Sequence, residues 1–428
     1  MSLQRIKGVL MKNLFYLLLL ITSLIACGSL KQQSAADEGE AEEAGDIIPD
    51  PDIDVSEEEI IQEILFLFGT DYTSSGQLYV TDADPITELL NSGLASLGSS
   101  AVIRFFDGLL YVLHDGYSFF SSDNVQIIDS ANSFATQNTW STGNSTNPHD
   151  LVVVENTAYI TLYDAGSDPS NLADNGHPGD LIVMDLATGS ITKRMSFYDY
   201  LNVDADMMAR ADQMVVVGNR LYVCIQDFGS DFTPNAPGKL AVIDLATNEI
   251  ETVYTLTGWN PVDIVYSETA NKLFVAQSAG YGAYDFAATD HGGIEIVPLS
   301  SPTATIFLTD DIADGYIERL VVSEGRVFAV ASELQFAPVF LFLSDVWVMD
   351  ENNEAEAGLS VFSADNADIR DMVADGNGSL WIARRTIEVG SGDATDPHVD
   401  VLNSTTGESI ASNLTSDVPI TSMAIGQF

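Results

Sequence analysis

The chain has 428 residues, of which 63 are acidic and 16 are Lys or Arg, and 46% are hydrophobic. A formal net charge of −47 repels nucleic acid and anionic lipid surfaces, so the composition excludes a nucleic-acid-binding protein. The acidity allows two interpretations. It is either a hydrated surface suited to a saline medium, which we favour, or a field that attracts cations and basic partners.

The first 26 residues have the pattern of a secretion signal. Three basic residues precede an apolar run, Leu14 to Ile25, which is too short to span a bilayer. The run ends in Leu24-Ile25-Ala26-Cys27, which resembles the lipobox of bacterial lipoproteins. The resemblance implies that residues 1–26 are removed and that Cys27 is the site of lipidation. The alternative is an ordinary secretory signal that happens to contain a cysteine.

A lipidated Cys27 would anchor the protein to a membrane, because two or more acyl chains are sufficient for stable attachment. Gly28 follows the cysteine, where an aspartate would have indicated inner-membrane retention. The resemblance therefore implies the bacterial outer membrane, with the periplasmic and surface leaflets both open. After cleavage only Cys224 remains as a thiol, so no intramolecular disulfide forms, and its strand-like surroundings predict a small buried hydrophobe.

Residues 27–62 are predicted to form an acidic, disordered tether. The segment from Asp37 to Glu59 contains 12 acidic residues and no Lys or Arg, and it includes Pro49 and Pro51. Such a composition cannot bury enough apolar surface to fold, and its charges repel one another. Residues 63–428 are predicted to form the folded body, without a second linker.

The body contains one strand pattern repeated seven times. The repeats end at residues 82, 129, 185, 244, 299, 350 and 403, which gives separations between 47 and 59 residues. Short alternating strands with a period of this size are typical of propellers. Each unit reads as four antiparallel strands, so the prediction is an all-β, seven-bladed β-propeller, with six or eight blades as alternatives.

The two ends of the body are predicted to share one blade. Ile420 to Ile425 has the pattern of a first strand. Ile64 to Phe68, Leu78 to Thr81 and Ile86 to Leu90 have the patterns of the second, third and fourth strands. Pairing them would close the ring and remove the exposed edges of an open stack.

Several phrases resemble the YVTN-type β-propeller repeats of bacterial envelope proteins. They are the segments 260–265 (NPVDIV), 272–275 (KLFV) and 183–189 (VMDLATG). The resemblance covers nearly all of the chain after the tether and implies the fold. It implies little about function, because such propellers include binding scaffolds, dehydrogenase subunits and lyases.

Residues at the start of each first strand are predicted to converge around the central channel. Aligning these positions gives one ring and, one residue earlier, a second set. The ring comprises Asp150, Gln213, Asp263, Arg319, Asp371, Ser422 and, for the first complete blade, Ser100, and the earlier set comprises His149, Asp212, Glu318 and Arg370. Asp150, Asp263 and Asp371 could hold a hard cation such as calcium. We favour the alternative, in which Arg319 and Arg370 pair with Asp263 and Asp371 in a structural, water-filled channel. A ligand-binding channel mouth is the third interpretation.

Two other features have simpler interpretations. His177, His291 and His398 recur before third strands, but they fall in separated blades and are predicted to be turn residues, not metal ligands. The stretch from Glu333 to Leu343 reads as an apolar loop that either covers its own blade or docks a partner. Its candidate contact residues, with those of the neighbouring loop, are Phe336, Phe340, Phe342, Tyr281 and Tyr284.

The sequence contains no nucleophile elbow, phosphate loop or haem attachment motif, so no catalytic residue is assigned. The hypothesis is a lipid-anchored envelope propeller that binds or scaffolds a protein or glycan, with a monomeric body. The competing hypothesis is a metal-dependent hydrolase or lyase that uses the channel carboxylates.

Overall fold

The computed structural model describes residues 63–427, apart from 72–74, 84–89, 92–96, 116–122, 164–167, 203–206, 230–235, 280–290, 300–304, 314, 336–340, 354–357 and 389–393. The described part is almost entirely β-structure. It forms seven four-stranded antiparallel sheets, each of which is one blade of a β-propeller. This confirms the predicted fold and the blade count.

Blade 1 joins the two ends of the chain and has the order β28-β1-β2-β3, whereas every other blade is built from consecutive strands. The strands of blades 1 to 4 are β28 (Ile420–Gln427), β1 (Glu63–Gly69), β2 (Gln77–Thr81), β3 (Leu90–Asn91); β4 (Ala101–Phe106), β5 (Leu109–His114), β6 (Asn124–Asp129), β7 (Ala135–Ser141); β8 (Pro148–Val154), β9 (Thr157–Leu162), β10 (Leu181–Asp185), β11 (Ser190–Met195); and β12 (Met207–Val217), β13 (Arg220–Gly229), β14 (Pro237–Asp244), β15 (Glu249–Trp259). The strands of blades 5 to 7 are β16 (Pro261–Ser267), β17 (Lys272–Gln277), β18 (Gly293–Pro298), β19 (Thr305–Thr309); β20 (Tyr316–Ser323), β21 (Arg326–Gln335), β22 (Leu341–Asp350), β23 (Leu359–Asp365); and β24 (Ala367–Ala374), β25 (Ser379–Ile387), β26 (Ala394–Asn403), β27 (Ser409–Thr415).

The described residues also form one four-residue helix, α1 (Asp310–Ala313), and two 3₁₀ turns, Pro169–Asn171 and Tyr198–Tyr200. No described helix is long and apolar enough to cross a membrane.

Ring closure follows the predicted pairing of the termini. β28 pairs antiparallel with β1, from Glu63 opposite Gln427 to Gly69 opposite Ile420. The fourth strand of blade 1 is described only as Leu90–Asn91, so most of the predicted strand from Ile86 to Leu90 lies outside the described residues. The seven inner strands contact one another in sequence, and β24 contacts β28, which contacts β4. They therefore surround a central channel.

The core consists of seven apolar clusters, one between each pair of neighbouring blades. β1 shows why the strands read as continuous apolar runs. Leu65 and Leu67 pack against blade 7, whereas Phe66 and Phe68 pack against blade 2. Because both faces of a blade are buried, alternation between polar and apolar residues disappears in its inner strands.

The acidic residue that ends many of the repeats has a local structural role. The carboxylate of Asp185 accepts hydrogen bonds from the N–H groups of Ala187 and Thr188, at 2.8 and 3.1 Å. Asp129, Asp244 and Asn403 make the same pair of contacts in blades 2, 4 and 7. These side chains stabilise the turn between the third and fourth strands.

Candidate functional site

The candidate site is the ring of side chains around the channel, and β-bulges in the inner strands determine its geometry. In β8 the pairing with β9 skips His149, and in β16, β20 and β24 it skips Val262, Glu318 and Arg370. β28 skips Thr421 in the same way. A bulge re-aims the neighbouring side chains. The residue after each bulge is the predicted ring residue.

The three ring aspartates join neighbouring blades. The Oδ2 atoms of Asp150, Asp263 and Asp371 accept hydrogen bonds from backbone N–H groups of the next blade, at 2.9, 2.8 and 2.7 Å. The donors are Met214, Leu320 and Met423. The other carboxylate oxygens of Asp263 and Asp371 accept the N–H of the following residue in their own strands. Each aspartate thus satisfies inner-strand donors that have no strand partner on the channel side.

Ser422 makes the equivalent contact and corrects one predicted position. Its Oγ accepts a hydrogen bond from the N–H of Ile103 at 3.1 Å, so the blade 2 residue in this ring is Val102, not Ser100. Ser100 instead donates to Asp115 at 2.6 Å. The pairing of β4 with β5 contains no register shift. Because β4 has no bulge, the alignment that located the ring residues in the other inner strands gives the wrong residue in blade 2.

Arg104 is the channel residue that the sequence analysis missed. Its Nη2 lies 2.8 Å from Asp150 Oδ1 and donates to Gln213 Oε1 at 2.7 Å, so one guanidinium contacts blades 3 and 4 from blade 2. The signal is present in the sequence. When Ile103 is aligned with Leu151 and its counterparts, Arg104 falls in a column otherwise occupied by small apolar side chains, namely Val152, Val215, Val265, Val321, Val373 and Ala424.

The other two channel arginines have different partners. Arg319 Nε lies 3.8 Å from Asp371 Oδ1. Burial lowers the pKa of Arg319, but the carboxylates of Asp263 and Asp371 outweigh it, and the net pKa is raised. Arg370 was expected to pair with Asp263 or Asp371. The contact shown for it is with Asp368, at 3.5 Å, and Asp368 also binds Arg385 at 2.7 Å.

Burial raises the pKa of all three ring aspartates. For Asp263 the pKa rises to about 6, although Arg319 and two backbone N–H groups oppose the shift. Burial also raises the pKa of Asp150 and Asp371, against the opposing charges of Arg104 and Arg319 respectively. The charges of Arg104 and Arg319 therefore offset only part of the effect of burial on the pKa of these carboxyl groups.

His149 lies one residue before Asp150 and forms an ion pair of its own. Its Nδ1 is 2.7 Å from Asp212 Oδ1, and Asp212 Oδ2 accepts from Gln226 Nε2 at 2.6 Å. Burial lowers the pKa of His149, but the charge and hydrogen bond of Asp212 outweigh it, so the net pKa is raised.

The three recurring histidines lie in separate blades, as predicted. His177 stacks on Tyr198 and His291 stacks on Trp259, with centroid distances of 3.7 and 4.5 Å. His398 is not a turn residue as predicted, because it lies within β26 and is 3% exposed. Within the described ranges, no group of three or more His, Cys, Asp or Glu is placed to hold a metal. Cys224 is fully buried, and burial raises its pKa well above the usual value.

The predicted apolar loop is partly strand. Glu333–Gln335 belong to β21 and Leu341–Leu343 to β22, and Phe342 lies opposite Leu334 and is half-buried. The residues at both ends of the predicted loop therefore pair with each other and lengthen the hairpin formed by β21 and β22. Phe336, Phe340, Tyr281 and Tyr284 lie outside the described residues.

A cavity of about 600 Å³ lies at the opposite end of the inner strands. It is lined by residues of blades 6, 7, 1 and 2, which are consecutive around the ring. Along β4 and β24 the lining residues come three to four positions after the ring residues. At the rise of a β-strand, this places the cavity roughly 10–13 Å from the ring. Sequence reasoning placed the binding candidates at the other end and did not identify this cavity.

A comparison with one solved structure supports the fold. A crystal structure from Bacteroides fragilis, described as a candidate 6-phosphogluconolactonase, has a TM-score of 0.54 and 12% identity, covering 86% of this chain and 98% of that one. Kuenenia stuttgartiensis hydrazine synthase gives a TM-score of 0.45 at 11% identity, with coverages of 70% and 75%. No family model and no curated protein matches the chain. The seven four-stranded sheets define the class of the protein as a seven-bladed β-propeller.

Proposed function

We propose that this chain is a lipid-anchored β-propeller of the bacterial envelope that binds or scaffolds a protein or glycan partner. The observation that carries the proposal is the engagement of the ring aspartates. Asp150, Asp263 and Asp371 each accept a hydrogen bond from the next blade, and Arg104 and Arg319 supply the opposing charge. The carboxylates best placed for chemistry at the axis thus join blades. The loop faces and the cavity remain as surfaces for a partner.

Anchoring rests on the sequence at Cys27 and its resemblance to a lipobox. The outer-membrane location and the kinship with YVTN-type repeats rest on the sequence in the same way. Cys27→Ala should prevent acylation and release the protein from membranes. Fractionation after a salt wash tests this, and a variant that still sediments with membranes would show that another element anchors the chain.

A pull-down of the intact, acylated protein from detergent-solubilised envelope tests the binding role. We expect a protein or glycan to be retained in stoichiometric amount, and Cys27→Ala carried on an unrelated anchor should retain the same partner. Recovery of nothing beyond an unrelated lipoprotein control would contradict the proposal.

One observation favours the second candidate, a metal-dependent hydrolase or lyase. The pKa of Asp263, about 6, would let this carboxylate exchange a proton near neutral pH, as a general base requires. Calcium is the cation that such oxygen ligands would favour. One stoichiometric divalent ion in the purified protein, lost when two ring aspartates are replaced by Asn, would support this candidate over the scaffold.

A further inference from the structure

The cavity at the far end of the channel has an acidic wall. Glu63, Asp107 and Asp375 line it, and none of the described residues that line it is Lys, Arg or His. Two of these carboxylates are held in place. Glu63 accepts from the Gly376 N–H at 3.0 Å, and Asp375 accepts from Trp381 Nε1 at 3.0 Å. Asp375 also accepts from the N–H groups of Asn377 and Ser379, and Glu63 also accepts from Asn377 Nδ2. Both side chains are buried, so they contribute negative charge to the wall, and direct contact with a ligand falls to Asp107.

Asp107 differs from the other two because it is exposed. It lies in the turn between β4 and β5, with a φ of 48°, and Gly108 follows it with a φ of 79°. The turn therefore holds this carboxylate at the rim of the cavity. Asn also tolerates this left-handed conformation, so the charge can be removed without straining the turn.

The remaining lining is largely apolar. Phe105, Phe106, Val322, Ala374 and Ile425 are all partly accessible and lie along the cavity. An apolar wall beside carboxylates suits a ligand with an aliphatic stem and a cationic end, because the stem packs while the charge meets the acids. Aromatic side chains add a cation–π attraction. The volume, about 600 Å³, lies within the range of small-ligand sites.

We propose that this cavity receives a basic side chain, a lysine or an arginine, presented by the partner protein. The inference rests on the proposed binding function and specifies which surface acts. The charge of −47 adds long-range attraction for a basic partner. An anionic ligand would find no opposite charge among the described lining residues. A neutral glycan would bring no positive charge to this acidic wall.

The test is titration of the detergent-solubilised full chain with the capped tripeptide Ala-Lys-Ala, followed by ligand-observed NMR. The matched probe has norleucine in place of lysine and therefore keeps the stem without the charge. We expect the lysine peptide to bind about tenfold more tightly than the norleucine peptide. Asp107→Asn should remove most of that difference.

The matched control is Glu155→Gln. Glu155 occupies the corresponding turn of blade 3, between β8 and β9, is exposed, has a φ of 54°, and does not line the cavity. It should leave the affinity unchanged. Equal binding of the two peptides, or equal losses in the two variants, would overturn the inference.

The two proposals fail separately. A partner recovered from the envelope whose affinity is unchanged by Asp107→Asn would overturn the inference and leave the binding function intact. Selective binding of the lysine peptide with no partner recovered would support the preference of the cavity for a basic side chain. It would contradict the proposal that the chain binds or scaffolds an envelope partner.

Discussion

The Asp371 carboxylate accepts a hydrogen bond from the N–H of Met423 at 2.7 Å, across the join between blade 7 and the closing blade 1. Met423 belongs to β28, which also pairs with β1. This contact therefore helps to connect the ring at the place where the two ends of the folded body meet, together with the bond from Gly376 to Glu63. The equivalent contacts of Asp150 and Asp263 connect blades 3 to 4 and 5 to 6.

Replacing Asp263 and Asp371 together with Asn should lower the free energy of unfolding in the absence of metal. Each carboxylate uses both oxygens to accept backbone N–H groups, and an amide offers only one oxygen. Arg319 also loses its opposing charges. We expect a loss on the order of 3 kcal/mol in denaturant titrations with chelator present.

The matched control is Asp174→Asn, which removes one exposed charge from a surface turn. It should change the free energy of unfolding by no more than about 0.5 kcal/mol. Stability of the double variant equal to that of the parent in chelator, with a divalent ion lost on substitution, would contradict the structural role.

Sequence patterns predicted the blades well because each depends on local chemistry. The apolar strands and the turn-forming Asp185 and Asp244 follow from residues close to one another in sequence. The pairing of β28 with β1 joins strands far apart in sequence, and it was predicted because each end of the folded body carries an incomplete set of strands. The bulges do not. A one-residue slip moves every later side chain to the other face, and periodicity alone does not locate it.

Arg104 and Arg370 show the consequence for the site. Arg104 was missed because β4 lacks the register shift that all the other inner strands show, so its register could not be inferred by analogy. Arg370 is the bulged residue of β24, and it contacts Asp368, two residues earlier, whereas the expected partners were Asp263 and Asp371. Side-chain direction at a bulge depends on the folded backbone.

Deleting residues 418–428 should destabilise the whole propeller. The deletion removes β28 and leaves β1 without its antiparallel partner, and it exposes the cluster that Met423 and Ile420 share with Trp381. We expect the melting temperature to fall by about 10 °C or more. A truncated chain that melts within a degree or two of the parent would contradict the role of β28 in closure.

Asp180→Asn should change how stability depends on pH. Burial raises the pKa of Asp180 to about 7, although the N–H of Phe197 and the hydroxyl of Ser196 oppose the shift. A carboxyl whose pKa is raised on folding binds more protons in the folded state, so the parent loses stability as pH rises from about 4 to 7. The variant lacks this loss.

The difference in unfolding free energy between Asp180→Asn and the parent should therefore move in favour of the variant by an amount on the order of 3 kcal/mol over that range. Denaturant titrations at several pH values measure it. Because both proteins share all other carboxylates, a difference that stays constant with pH would show that Asp180 does not titrate in this way.

Asp212→Asn should lower the pKa of His149. The pair is separated by 2.7 Å, and Asp212 outweighs the effect of burial on the imidazole. Stability from this pair is fully present below the unfolded pKa of His149 and is lost as pH rises through the higher folded pKa. NMR titration of labelled histidine gives the folded pKa directly. An unchanged value in the variant would contradict the pairing.

Arg104 and Asp150 should show a strong energetic coupling. The guanidinium lies 2.8 Å from a carboxylate that is 2% exposed, and burial already raises the pKa of Asp150 against the opposing charge of Arg104. Arg104→Met retains the aliphatic volume but leaves a buried carboxylate without a counter-charge, which costs about 3 kcal/mol at neutral pH. Because the uncompensated carboxylate can take up a proton, the cost should shrink towards pH 4. In a double-mutant cycle, Asp150→Asn should recover much of the loss caused by Arg104→Met. Additive losses in the two single variants would show that the guanidinium and the carboxylate act independently.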